Sequence, residues 1–302
     1  MLVLLAAEGA RLDAGAVGLA LARRRSEAGE QALFVDADTT GSRLARRLGE
    51  VAHADYSPAA RGLPSLMVAR QPMTLRLLAE HCYSLDAGAG SLWALFAPFH
   101  PDGGEHAAAW LAEQTGELAS VDRERSVIVA SSFPAGARRL APAVQAGAVL
   151  VLLAPVESVE AAEALGALCR GFDLSGRRCP HRALIVEGDC PLGDDEVGAA
   201  TGMHVAGRVP VVDEERMLRL GGGRRDRALV RSVDEIAGRL LSYSRLVASQ
   251  LATHRVTEAP ATQVEALGAL EGPTEVTNVN GAPTEAARRG GQVVEATDER
   301  RG

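Results

Sequence analysis

Short apolar runs separated by helical patterns constrain this chain more than any other feature. The runs are Leu2–Ala6, Ala32–Val35, Leu92–Ala97, Val127–Ala130, Val149–Leu153, Ala183–Val186 and Val205–Val209. Between and after them lie amphipathic stretches over Ala16–Glu27, Ser42–Leu48, Leu75–Cys82, Glu105–Ala119, Ala137–Gln145, Ser158–Arg170 and Asp194–Thr201. Strands that are apolar on both sides need cover on both faces, and helices between them supply it. The pattern therefore predicts a Rossmann-like, doubly wound α/β fold with a mostly parallel sheet. A longer helix, Val233–His254, closes it, with Ile236, Leu240, Leu241, Leu246, Val247 and Leu251 at approximate helical spacing.

After about residue 255 the pattern stops. Residues 256–302 contain no aromatic side chain and are rich in Gly, Pro, Thr and Glu. Such a segment buries too little apolar surface to offset its ordering entropy, so it is expected to be a disordered tail. The predicted organisation is one α/β domain over 1–255 and this tail.

Composition narrows the function. Hydrophobic residues make up 47% of the 302 positions, enough for a sizeable core, yet only 3% are aromatic, so Ala, Val and Leu must build it. The net charge of −7 argues against a surface made for nucleic acid. All 32 basic residues are Arg and none is Lys. Coding bias accounts for that at the surface; it matters wherever a chemistry demands Lys. The apolar start, Met1–Ala7, is too short to span a bilayer and lacks a basic flank, so it reads as a strand, and the protein as cytoplasmic. The four cysteines form no C-x-x-C pair, which suits a reducing compartment. Cys169, Cys179, His181 and Cys190 lie near one another in sequence, but their spacing matches no zinc pattern, and the thiols read as small core hydrophobes. His53, His81, His100 and His106 offer no i, i+4 metal pair, and Ser131 and Ser132 have no neighbouring base.

In sheets of this kind the first strand-to-helix turn binds phosphate through backbone N–H groups and a helix N-terminus. A Lys then reaches the terminal phosphates and a Ser or Thr holds Mg²⁺. Here the turn reads Glu8-Gly-Ala-Arg-Leu-Asp-Ala-Gly-Ala16, and the next unit ends in Phe34-Val-Asp-Ala-Asp-Thr-Thr-Gly-Ser42. The second stretch resembles the MinD/ParA family of deviant Walker ATPases, P-loop NTPases of the SIMIBI class, whose second strand ends in V-D-A-D-x-x-G-S. Ser126–Gly136 is similar to the family's Walker B strand, Val149–Glu160 to the following strand-helix unit, and Gly207–Leu220 to the loop near the adenine. Val186-Glu-Gly-Asp189 stands where the family carries an Asn that reads the base.

Aligned without a gap, the family's K-G-G-V-G-K-T loop falls on Gly9–Gly15. The signature Lys becomes Gly9, the phosphate-gripping Lys becomes Ala14 and the Mg²⁺-binding Thr becomes Gly15. Coding bias would exchange Lys for Arg, not for Ala or Gly. Asp13 sets a negative charge against the phosphates, and the Walker B Asp position falls on Ser132. Asp36 and Asp38 are retained, but without a phosphate grip they read as strand-end carboxylates that cap a helix or hold a loop.

The resemblance thus implies a degenerate nucleotide pocket made of Gly9, Asp13, Ala14, Gly15, Asp36, Asp38 and Ser132, with no metal, no catalytic residue and no cofactor. It further implies a pseudo-ATPase that works as a scaffold, positioning or regulatory partner of a division, chromosome-partition or pilus and secretion machine. Such a protein would be a homodimer or a heterodimer with an active relative, recruited to a pole, septum or membrane-bound machine. Pilus-localisation proteins of the TadZ/CpaE group are one such type, although many begin with a receiver-like domain, whereas the sequence here opens directly on the expected first ATPase strand. The competing reading is a working ATPase using ATP and Mg²⁺, with non-specific DNA binding. It needs Arg11, Arg224 or Arg225 to contact the anion and the Arg clusters 23–25, 43/46/47, 138/139 and 224/225/227 to meet DNA. Arg triplets on a helix are more commonly a solvated face, which favours the first reading.

Overall fold

The computed structural model describes residues 1–85, 89–121, 125–171, 181–219 and 226–257. In chain order the elements begin β1 (Leu2–Ala7), α1 (Ala14–Glu27), β2 (Gln31–Asp36), α2 (Leu44–Ala52), α3 (Leu63–Val68) and α4 (Leu75–His81). They continue with β3 (Tyr83–Leu85), β4 (Ser91–Leu95), α5 (Pro101–Glu113), α6 (Thr115–Val121), β5 (Ser126–Ser132), α7 (Ala135–Arg139) and α8 (Ala141–Gln145). The last are β6 (Val149–Pro155), α9 (Val159–Gly171), β7 (Arg182–Glu187), α10 (Asp194–Thr201), β8 (His204–Val209), α11 (Glu214–Leu218) and α12 (Arg227–Thr257). Residues 1–257 form one compact unit; the expected tail lies outside the described residues from position 258 onward.

The strands form one sheet in the order β3-β4-β2-β5-β1-β6-β7-β8, parallel except for β3. Period-two alternation sends side chains to both faces. Leu2, Leu4 and Ala6 of β1 join one core cluster while Val3 and Leu5 join the other. Phe34 and Ile128 go with the second set, and Leu33 and Val129 with the first. Each fully buried Leu, Val or Phe contributes about 1.5–3 kcal/mol, so two continuous apolar layers carry the fold. Small residues let α1 lie close to the sheet: a β-carbon added at Gly18 would come within 3.1 Å of the Phe34 ring.

All seven expected strands are present, and the sequence reading missed β3. This is a three-residue edge strand, too short for a periodic signal, antiparallel to β4 and held by Tyr83 packing edge-on against Tyr56 at 5.2 Å. The helix expected over Ala137–Gln145 is two helices, because Pro142 cannot continue one. The helix expected over Glu105–Ala119 begins earlier, with Pro101 in its first turn, and breaks after Glu113. No helix among the described residues is long and apolar enough to cross a membrane.

Candidate functional site

The carboxyl ends of β1, β2 and β5 open into a polar cleft of about 660 Å³, at the point where the chain reverses the direction of strand addition. Asp13, Ala14, Gly15, Asp36, Asp38 and Ser132 all line it, and Gly9 stands just outside on the same loop. Arg11 is on the rim, and Arg224 and Arg225 lie outside the described residues.

The β1–α1 loop has the form of an anion cradle, and the chain's own carboxylates fill it. Gly9 adopts φ +63°, the left-handed conformation that turns the loop back over the sheet. The next amides point to Glu187 at the end of β7: Arg11 N donates to Oε2 at 2.8 Å and Leu12 N to Oε1 at 2.6 Å. Glu187 is only 3% exposed. Asp13 then caps α1, its Oδ1 accepting from Ala16 N at 3.1 Å, where the partial positive charge of the helix end is greatest. Three N–H donors of this loop and of the start of α1 are therefore bonded to internal carboxylates.

The opposite wall is a hydrogen-bonded set on the β2–α2 connection. Buried Asp36 accepts from Asp38 N at 3.2 Å and from the Ser42 hydroxyl, whose oxygen accepts from Leu44 N at the start of α2. Asp38 folds back on its own loop, accepting from the amide and hydroxyl of Thr40 at 2.9 Å. Thr39 and Ser132 hydroxyls lie 2.7 Å apart, and Ser131 donates to Ala37 O at 2.9 Å. Both aspartates hold the loop, and Asp36 reaches the α2 terminus through Ser42.

Electrostatics follow from crowding. Burial pushes the Asp36 carboxyl up to about 7, the Ser42 hydrogen bond opposes the shift, and the charges of Asp13 and Asp38 add to it. Asp13 is exposed by surface area, yet the surrounding cleft walls desolvate its carboxyl and raise it above the ordinary value, against the pull of the Ala16 amide, and Asp38 adds to the rise. Arg47 of α2 closes one side of the mouth by pairing with Glu214 of α11.

The reading of Arg23–Arg25 as a solvated face is corrected by the structure. Arg23 donates to Leu218 O at 2.6 Å, Arg24 pairs with Asp234, and buried Arg25 pairs with Glu30. These three fasten α1 to α11, α12 and the next loop. Arg139 pairs with Glu105 at 3.6 Å. Among the described residues no cluster of His, Cys, Asp or Glu has the arrangement of a metal site. Cys82 and Cys169 are buried and Cys190 half-buried, as small core residues would be; Cys179 lies outside the described residues.

Solved structures carry the same architecture. A ParA family ATPase from Chlorobium tepidum TLS matches with a TM-score of 0.58 at 14% identity, over 78% of this chain and 98% of that one. The fold is that of the MinD/ParA ATPases. The MinC:MinD cell division protein complex of Aquifex aeolicus matches the chain with a TM-score of 0.53 at 12% identity, over 80% of this chain and 96% of that one. MinD from Pyrococcus horikoshii OT3, solved with Mg-ADP, gives 0.52 at 14% identity over 78% and 95%. No protein-family model and no curated protein matches the sequence.

The donor set of this MinD/ParA fold does not match what a triphosphate and its Mg²⁺ require. The chain has no Lys, Gly15 has no hydroxyl, and a β-carbon there would stand 3.1 Å from the Leu44 side chain. Asp13, a carboxylate that the family's loop pattern does not carry, lines the cleft beside the retained Asp36 and Asp38 and adds negative charge to it. The sequence reading had Ser42 and Glu187 only inside the family-like segments and Arg47 only inside an Arg cluster; the Ser42 and Glu187 hydrogen bonds and the Arg47–Glu214 pair escaped it. The one local signal for Glu187 was an acidic residue ending an otherwise apolar strand, Leu184-Ile-Val-Glu187.

Proposed function

We propose that this chain is a pseudo-ATPase with the MinD/ParA fold. It acts as a scaffold, positioning or regulatory partner of a cellular machine in division, chromosome partition or pilus and secretion assembly. The observation that carries this reading is the Asp13 carboxylate on the α1 N-terminus, in the place that a bound phosphate needs. Ala14 and Gly15 beside it supply neither a cation nor a metal ligand. A fold that keeps the cleft but replaces its ligand chemistry retains a use for the surface, and protein recognition is that use. MinD of Aquifex aeolicus, similar in fold, has been solved in complex with MinC. By this reading the partner here is a second copy or an active relative.

Isothermal titration with ATP and ADP, with and without Mg²⁺, tests the reading, together with phosphate release. No saturable binding and no release above background are expected. Micromolar binding that depends on Mg²⁺, or turnover lost on Asp38→Ala, would overturn it in favour of an atypical active ATPase.

A further inference from the structure

We propose that Glu187 is the permanent internal anion of the β1–α1 loop, holding it in a single shape without nucleotide so that the cleft face is always presented. This rests on the pseudo-ATPase reading and adds the device that makes it workable. Loops of this type collect several N–H groups pointing into one concavity, and without an anion those dipoles repel one another. Here a carboxylate engages two consecutive amides, Arg11 N at 2.8 Å and Leu12 N at 2.6 Å.

Its anchorage is rigid. The Glu187 backbone is in register with Pro155 of β6 on one side and Val209 of β8 on the other. Immediately after it Gly188 turns with φ +75° and donates to Val209 O at 2.8 Å. On the loop side, Leu12 is 2% exposed and packed in the core, while Glu8 N donates to Leu153 O at 2.9 Å. Both ends of the contact are thus fixed by the sheet, and the carboxylate cannot swing away without unpairing the buried Leu12 donor and the part-buried Arg11 donor. An external anion would have to displace a tethered one, which acts at an effective concentration of about millimolar or above. A nucleotide-switched loop orders and disorders with its ligand; this loop has its ligand built in.

Hydrogen exchange followed by NMR on the full chain tests this. In the unmodified protein the Arg11 and Leu12 amides should be protected, although they lie in a loop. In Glu187→Gln, whose side chain offers one acceptor oxygen and an opposing NH₂ group, protection at these two amides should fall about tenfold or more while β5 amides keep theirs. Unprotected Arg11 and Leu12 amides in the unmodified protein would overturn the proposal, and so would protection unchanged in the variant. If the variant does not fold, the unmodified protein decides alone. Adding Mg-ATP to the unmodified protein separates the two claims. Saturable shifts at these amides would end the pseudo-ATPase reading, whereas fast exchange with no ATP effect would end the Glu187 assignment only.

Discussion

Asp13 and Gly15 depend on each other: a β-carbon built on Gly15 would lie 2.8 Å from the Asp13 carboxylate oxygen that caps α1. The absence of a side chain at 15 makes room for the cap, and the cap occupies the space where a phosphate would approach the helix. The two departures from the phosphate-binding pattern are therefore one structural arrangement, not two separate losses.

Restoring the missing pair, Ala14→Lys with Gly15→Thr, should not restore ATP binding. The threonine displaces the Asp13 cap, costing about 1 kcal/mol, and presses on Leu44 in a packed site, costing about 1–3 kcal/mol more. Calorimetric titration should show no ATP binding, and denaturant unfolding should show a protein less stable by about that sum. Tight ATP binding by the double variant would mean that the cradle is still intact.

Asp36 should make stability fall as pH rises from about 4 to about 7. Its folded carboxyl is raised to about 7 from an unfolded value of 3.8. In that window the folded state keeps a proton that the unfolded chain has released, so rising pH favours unfolding, by on the order of 1 kcal/mol per pH unit. The advantage is complete below the unfolded value and gone above the folded one. Asp36→Asn stands in for the protonated form and should flatten this part of the stability profile, measured by urea unfolding across pH. An unchanged slope would place the responsible proton elsewhere.

Gly9→Ala isolates the backbone. A β-carbon there meets nothing within 4 Å, so the cost is conformational: φ +63° disfavours any residue with a β-carbon by about 1 kcal/mol. Thermal unfolding should show a small loss of stability, with the sheet unaffected. A much larger loss would show that the loop carries more of the fold than its contacts suggest.

The Arg47–Glu214 pair at the mouth is half-exposed on the arginine side. Removing it with Arg47→Ala should cost no more than about 1 kcal/mol and less at high salt, as exposed pairs do. Unfolding curves at low and high ionic strength check both the size and the salt dependence.

Much of this protein was determined by the sequence alone. Apolar runs spaced by amphipathic stretches leave few ways to bury both faces of each strand, which is why the seven longer strands and the doubly wound sheet were legible. The β1–α1 turn was legible too, because it is local and written in consecutive residues, and Asp13, Ala14 and Gly15 do line the cleft at the start of α1. What only the tertiary structure decided are relationships between distant parts. Glu187 and Leu12 are 175 residues apart, and nothing in either segment announces that a carboxylate ending β7 will reach the loop after β1. The path runs through sheet order, β1 beside β6 beside β7, which period and composition do not encode. The same holds for Arg23–Arg25, where a triplet that looks solvated is drawn inward by Leu218, Asp234 and Glu30. A charge pattern shows that a partner is needed; only the packed chain shows which one is within reach.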